Sequence, residues 1–412
     1  MFQSKNQVLF KDIRIYLIFF VVLIDIIGIG IIFPIIPDLL NDVGILDNSN
    51  AALWGGLLAS SYAFMQFIFS PSVGVLSDIF GRRPILLIAL ILLFIDYVIM
   101  GFASSIVLLF VGRLVAGVAG GTITTATAYL ADISEPQMKK KNFAIIGAAF
   151  GLGFILGPSI GGILGEFNVR GPFFISAAFA FSNFLLCYFF LPESLDRGKR
   201  NNFQLESLNP FSSILKITKI KSIRKIFFCF FLIAFANTVY PAVWSFWGKE
   251  VFGWSSGMIG TSLACYGFLL FIVQAFVIRL NYIDSLSTRS LSTISMTFGI
   301  IAFVSLGLVD REIIVFCILP IAAMSEMVNP SLKAYMSNET SDEHQGLLQG
   351  ILSSLVGLTS ILGPIFMTSI FNYSNTAGTE FSLPGTPFLF AAILFIISLI
   401  TLNITLRSKK VS

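Results

Sequence analysis

AYLADISEPQMKKKNFAIIGAAFGLGFILGP, residues 128–158, comes back 206 positions later as AYMSNETSDEHQGLLQGILSSLVGLTSILGP, residues 334–364. Ala128 and Tyr129 fall on Ala334 and Tyr335, Gly151 falls on Gly357, and Gly157–Pro158 falls on Gly363–Pro364. The displacement is half of the 412-residue chain, so the chain reads as one unit duplicated. Duplicated halves suit a machine in which two bundles rock about a central site. A channel or a membrane enzyme has less need of them.

The residues around the repeat say where such a machine sits. Hydrophobic residues make up 56% of the chain and charged residues 12%, about half the charge that a water-soluble surface carries. Mean hydropathy is +0.89. Most of the surface therefore meets lipid. A hydrocarbon core of about 30 Å is crossed by ~20 apolar residues in a helix. Spans are expected at 15–37, 52–77, 85–103, 106–131, 142–165, 172–191, 225–247, 257–279, 289–309, 313–335, 346–370 and 384–406. The apolar runs are continuous, which predicts helices; barrel strands would alternate. The expected fold is an all-α membrane protein of twelve transmembrane helices in two six-helix bundles. The bundles are residues 1–191 and 225–412, joined by a polar, basic linker at 192–224. The first apolar run continues to Pro37 without a small-residue cleavage site, so it reads as a retained helix.

Charge sets the orientation. Twenty-two of the 26 Lys and Arg fall in the two tails and the loops on one side of the membrane. Only Arg170, Lys249 and Arg311 fall on the other, and Arg113 lies inside a span. Basic loops stay in the cytoplasm, so both termini are expected there and the membrane is expected to be a bacterial inner membrane. The net charge of +4 follows from this asymmetry and calls for no nucleic-acid partner. Cys187, Cys229, Cys265 and Cys317 all lie in apolar runs without metal-ligand spacing, and His344 is the only histidine. Neither a metal site nor a cofactor is expected, and there is no nucleotide loop to suggest an enzyme.

The sharpest motif is GVLSDIFGRRP at 74–84, in the loop after the second span. Gly74 and Gly81 permit close packing and a tight turn. Asp78 is expected at a helix N-terminus, where the macrodipole favours a carboxylate. Arg82 and Arg83 can reach an acid on a neighbouring helix, with Asp132 the expected partner. Such a cluster holds one conformation and opens in the other.

This motif resembles the signature of the major facilitator superfamily. LIDIIGIGIIFPIIP (23–37), GRLVAGVAGG (112–121), GAAFGLGFILGPSIGG (147–162), LPES (191–194) and QGLLQG (345–350) extend the resemblance over most of the chain. Together they look like the drug/proton antiporter branch, and most like the tetracycline efflux proteins. The resemblance implies twelve helices around a central cavity between the halves. In antiporters of this kind the fifth-helix motif, here Gly147, Gly151, Gly157, Pro158, Gly161 and Gly162, lies where the halves meet. Those glycines also make a smooth surface for close helix contact, and Pro158 bends the helix.

Four charges fall at membrane depth, where insertion costs about 3 kcal/mol each: Asp25, Asp96, Arg113 and Glu326. Asp25 and Arg113 resemble family positions that line the cavity. The expectation is that Asp25 titrates while Arg113, close by, sets its affinity for the proton; the alternative is a static ion pair between helices. Asp96 also matches a family acid, or else satisfies a local hydrogen bond. The tetracycline efflux proteins carry a coupling histidine in helix 8 and aspartate in helix 9, where this chain has Leu270 and Met296. Glu326 stands where the family has a small residue. It is read as a substitute proton carrier, a contact for a cationic substrate, or a structural acid. The expected substrate surface is aromatic and amide-rich: Tyr62, Gln66, Asn237, Tyr240, Trp244, Gln274 and Asn329. Such a lining suits flat amphipathic or cationic solutes.

The resulting expectation is a monomeric, proton-coupled exporter of small amphipathic molecules, with lipid, protons and the solute as its only partners. A proton-coupled importer of the same fold and a non-transporting membrane sensor or assembly factor are the alternatives. Topology is directly measurable. Alkaline phosphatase fused after Asn48 is expected to be active, and the same reporter fused after Ser412 is expected to be silent.

Overall fold

The computed structural model describes residues 13–135, 138–195, 223–280, 283, 285–341, 344–375 and 383–408. Twelve helices in it are long and apolar enough to cross a membrane. They are α1 (Ile13–Asp42), α2 (Asn48–Phe80), α3 (Arg82–Phe102), α4 (Ile106–Ile133), α5 (Asn142–Phe167), α6 (Gly171–Phe190), α7 (Arg224–Phe252), α8 (Ser256–Ala275), α9 (Thr288–Leu308), α10 (Glu312–Asn338), α11 (Gln345–Asn375) and α12 (Thr386–Thr405). No strand occurs among the described residues. Helices are what lipid demands, because each one satisfies its own backbone donors and acceptors.

Every expected span is present, and several run further than expected. α1 continues through Pro34 and Pro37 to Asp42. α2 begins at Asn48, behind the N-cap Asp47, whose side chain accepts from the Asn50 N–H. The sequence reading ended spans where polar residues begin. A helix emerging into water keeps its hydrogen bonds and needs no apolar side chains to continue. Most of the expected linker, 196–222, lies outside the described residues.

The packing is duplicated with the sequence. In the first half α1 packs on α5 and α6, α3 on α6 and α4, and α2 on α4. Add six to each number and the contacts of the second half result: α7 on α11 and α12, α9 on α12 and α10, and α8 on α10. Three helices are interrupted: α4 at Gly120 and Gly121, α7 at Thr238, and α10 at Glu326 and Met327.

Two seams join the halves, α5 against α8 and α2 against α11, and they too are images of each other. At the first, a Cβ on Gly260 would stand 2.3 Å from the Pro158 carbonyl oxygen. At the second, a Cβ on Gly56 would stand 2.9 Å from the Pro364 carbonyl oxygen. Glycine is needed at both because the backbones touch. The same proline helices pack inward within their own halves. Gly157 and Gly161 meet the α1 backbone at Ile27, Gly30 and Ile31, and Gly363 meets Thr238 on α7. Gly162 meets the α8 backbone at Ser256, Gly257 and Gly260. Gly147 and Gly151 stand outside this contact: a Cβ on Gly147 has no neighbour within 4 Å, and one on Gly151 only Phe271 at 3.9 Å. The close-packed stripe instead includes Gly153 and Gly165, which face Ile26 and Ile35 of α1.

The two ends of the seams differ. At the end bearing the α1–α2 turn, the far end, polar groups bridge the halves. Asp38 of α1 pairs with Lys249 of α7 and accepts from Ser256 of α8. Ser245 donates to the Phe33 carbonyl over 2.6 Å, and Asn48 reaches the Phe246 carbonyl at 3.1 Å and Glu250 at 2.7 Å. Glu166 accepts from Ser255 and from the Gly257 N–H at the start of α8. Asn375 donates to Ser49 over 3.1 Å. Toward the other end, where GVLSDIFGRRP sits, the halves separate around cavities of about 490 and 250 Å³.

Replacing Gly260 with valine is expected to lower the melting temperature of the purified protein, because backbone cannot retreat from the new side chain. Gly147→Ala is expected to hold or raise it, since a helix gains about 0.5–1 kcal/mol from alanine where nothing is crowded.

Candidate functional site

The motif end of the first half is a dense polar cluster. Gly81 takes φ +106 between α2 and α3, a conformation that other residues adopt only with strain. This turn swings Arg82 back onto α2. Its guanidinium pairs with Asp78 at 2.5 Å and with Asp132 of α4 at 3.1 Å, and donates to Ser77 at 2.6 Å. Arg83 turns the other way, donating to the Tyr188 carbonyl at 2.6 Å and lying over the Tyr188 ring. The cluster ties α2, α3, α4 and α6 together, all within the first half. Gly74 stands in open space.

Asp78 does not meet a helix N-terminus, as the sequence suggested; Arg82 takes it. Glu193 does so instead. Its carboxylate accepts from the backbone N–H of Arg82 at 2.8 Å and of Arg83 at 3.2 Å, the first residues of α3. It also accepts from the N–H groups of Ser194 and Leu195. Ser194 then donates to Asp132 at 3.0 Å. An anion against the first turn of a helix satisfies free donors and the macrodipole together. The signal was LPES itself, an acid after a proline just past a span, which carries no hint of the helix it will cap.

The membrane-depth charges of the first half form one group. Arg113 of α4 bonds Asp96 of α3 at 2.6 Å, and Asp96 is fully buried. The Arg113 guanidinium also lies 5.9 Å from the Tyr62 ring centroid. Tyr62 and Gln66 lie one turn apart on α2, and Gln66 donates to the Gly120 carbonyl, at the α4 interruption, over 3.2 Å. Arg113 is therefore the partner of Asp96, not of Asp25. Asp25 is 7% exposed and makes no hydrogen bond or ion pair among the described residues. The Tyr97 hydroxyl lies against Gly28, about one turn along α1 from Asp25. Tyr62 and Arg113 open onto an apolar cavity of about 140 Å³ closed from the second half by Pro241, Ala242 and Phe246.

The second half answers with a different chemistry at the same depth. Glu326 sits at the α10 interruption. It accepts from Asn237, at the α7 interruption, over 2.9 Å and from Asn329 over 2.9 Å. Tyr240 stacks on Tyr266 with centroids 5.4 Å apart. The two helix interruptions are thus joined through one carboxylate. Trp244 is 2% exposed: its indole N–H donates to Ser262, and its ring packs on Trp247, Trp254 and Phe388. It is core of the second half and lines none of the cavities of about 140, 250, 300 and 490 Å³. Gln274 is exposed and lines none either. Leu270 and Met296 lie on α8 and α9, with Met296 fully buried. No cluster of His, Cys, Asp and Glu able to hold a metal occurs among the described residues.

Sequence reasoning missed Asp38, Glu166 and Lys249, which bridge the halves, Tyr97, which lies against Gly28 of α1, and Tyr266, which stacks on Tyr240. Each lies within or at the end of an apolar span, and only the fold reveals its partner.

A sequence profile of the Major Facilitator Superfamily matches residues 18–308 and 226–411. The class C tetracycline resistance protein of Escherichia coli is 37% identical over 358 residues, spanning 87% of this chain and 89% of that protein. The class B protein of Escherichia coli is 35% identical, spanning 86% and 87%. Among solved structures, the nucleoside transporter NupG superposes with a TM-score of 0.76 at 13% identity, covering 95% of this chain and 99% of that one. The human organic anion transporter MFSD10 superposes with a TM-score of 0.70 at 23% identity, covering 94% and 98%. These likenesses place the fold.

The Glu193 cap can be weighed by substitution. Glu193→Ala leaves the first donors of α3 without their acceptor and is expected to destabilise the protein by about 1–2 kcal/mol, read from denaturant unfolding in detergent.

Proposed function

We propose that this chain, which belongs to the Major Facilitator Superfamily, expels small amphipathic compounds in exchange for protons by alternating access across a bacterial inner membrane. Export is favoured by its likeness to two proteins named for tetracycline resistance, each matched over more than four-fifths of both chains. The observation that carries the mechanism is the asymmetry between the ends of the two seams. The far end is bridged by side chains from both halves beside a cavity of about 300 Å³, while the opposite end holds cavities of about 490 and 250 Å³ lined by both. With the basic loops in the cytoplasm, this conformation is closed outward and open inward. Rocking about the glycine–carbonyl seams exchanges it for the reverse.

Asp25 is our choice for the principal proton carrier. Among the described residues its carboxylate, at membrane depth, has no donor and no counter-ion, whereas Asp96 has Arg113 and Glu326 has two amide donors. An uncompensated charge in such a place has the most to gain from a proton. The Asp96–Arg113 pair fixes α3 against α4 and presents a cation and the Tyr62 ring to the cavity. Removing either partner would leave a buried charge alone, at a cost of about 3–5 kcal/mol. Glu326 is a second site of protonation that bears on the α7 and α10 interruptions. The Arg82–Asp132–Ser194 cluster keeps the motif end of the first half a single body as it moves. Coupling then needs only that proton and solute each bind the two conformations with different affinity.

Asp25→Asn is expected to insert normally and to lose proton-driven transport in liposomes, assayed with a panel of amphipathic solutes under an imposed pH gradient. Undiminished gradient-driven efflux by that variant would refute the assignment. Protons moving in the same direction as the solute would turn the reading to import.

A further inference from the structure

Inward of the far end, where Lys249 and Glu250 line a cavity of about 300 Å³ together, the charges around the inter-half cavities are few and their balance is one-sided. The cavity of about 490 Å³ is bordered by α2, α4 and α5 from the first half and by α10 and α11 from the second. Its lining holds one charged residue, Lys333 of α10, and no acid. The adjoining cavity of about 250 Å³ shares Gln66, Ser70, Ser353 and Val356 with it and has no charge. The third, about 140 Å³, has Arg113, whose charge is matched by Asp96. Glu326 lies two helical turns from Lys333 on α10, but its two oxygens are engaged by Asn237 and Asn329. Lys333 makes no ion pair among the described residues; its ammonium lies 5.9 Å from the Phe230 ring centroid.

We propose that this cavity binds the anionic group of an amphipathic organic anion, with Lys333 as the counter-charge. The claim rests on the transport reading and narrows its substrate class to carboxylates and similar acids. Gln349, Thr124 and Ser353 line the same space and offer neutral donors around an anion. Phe150 presents a ring for the apolar body of the solute. A lysine near the end of a span also serves topology. That role needs only a basic residue in the loop, not one that borders a cavity lined by both halves and free of carboxylates.

Three probes of one scaffold test the charge: naphthoate, naphthamide and naphthylmethylammonium. Their equilibrium binding to the purified full-length protein is measured by calorimetry, independently of transport. Naphthoate is expected to bind tightest. Lys333→Gln is expected to lower the ratio of naphthoate to naphthamide affinity about tenfold, and Lys333→Arg to keep it. The proposal is overturned if naphthoate binds no better than naphthamide, if Lys333→Gln leaves the ratio unchanged, or if none of the probes binds. Transport of the same probes in liposomes judges the exporter reading separately. Charge-selective binding without transport sinks that reading alone, and transport indifferent to Lys333 sinks only this one.

Discussion

Two peptide carbonyls set against two glycines hold this molecule's halves together. Inside a bilayer, apolar side chains gain nothing by leaving lipid for one another, so helix association depends on how closely backbones approach. Gly260 against Pro158 and Gly56 against Pro364 provide that approach at both seams. The proline helices, α5 and α11, each press their other face on the first helix of their own half. Each therefore serves as a wall shared between a bundle and the opposite bundle. The depth of the cavities and the reach of the bridging side chains at the far end both follow from where these walls stand.

The duplication kept the frame and let the chemistry diverge. In the first half an acid–base pair, a free acid and two tyrosines occupy the membrane centre. In the second, one carboxylate is held by two amides beside an aromatic core. The interruptions of α7 and α10 meet through Glu326, while the interruption of α4 is met by the amide of Gln66. A frame that moves symmetrically is thus fitted with charge that is not symmetric, and a solute entering it meets different chemistry on its two sides.

How much of this could be read from the residues depends on the range of the interaction involved. The spans, the repeat and the Gly81 turn are short-range or periodic features, and they were legible. The Arg82–Asp132 contact was legible too, because the motif brings the arginine to the end of a helix whose neighbour ends in an acid. The choice of Asp96 over Asp25 by Arg113 was not. It depends on the rotation of α3 relative to α4, which no spacing in either helix records. Trp244 shows the same limit: an aromatic residue three or four positions from others marks a helix face, but not whether that face meets a cavity or a neighbour. The close-packed stripe of α5 was half read, because its glycines serve two partners on two faces and the sequence superimposes them.

The far-end bridges have one further bearing. Their members are polar side chains at the rim, the Asp38–Lys249 pair among them, so parting them exchanges protein hydrogen bonds for water hydrogen bonds. Such an exchange is close to neutral in free energy. A closure built this way is deep enough to exclude solvent and shallow enough to be undone by the arrival of one small ion elsewhere. Had the rim been sealed by a leucine or phenylalanine plug, the resting state would sit in a well that no single proton could empty.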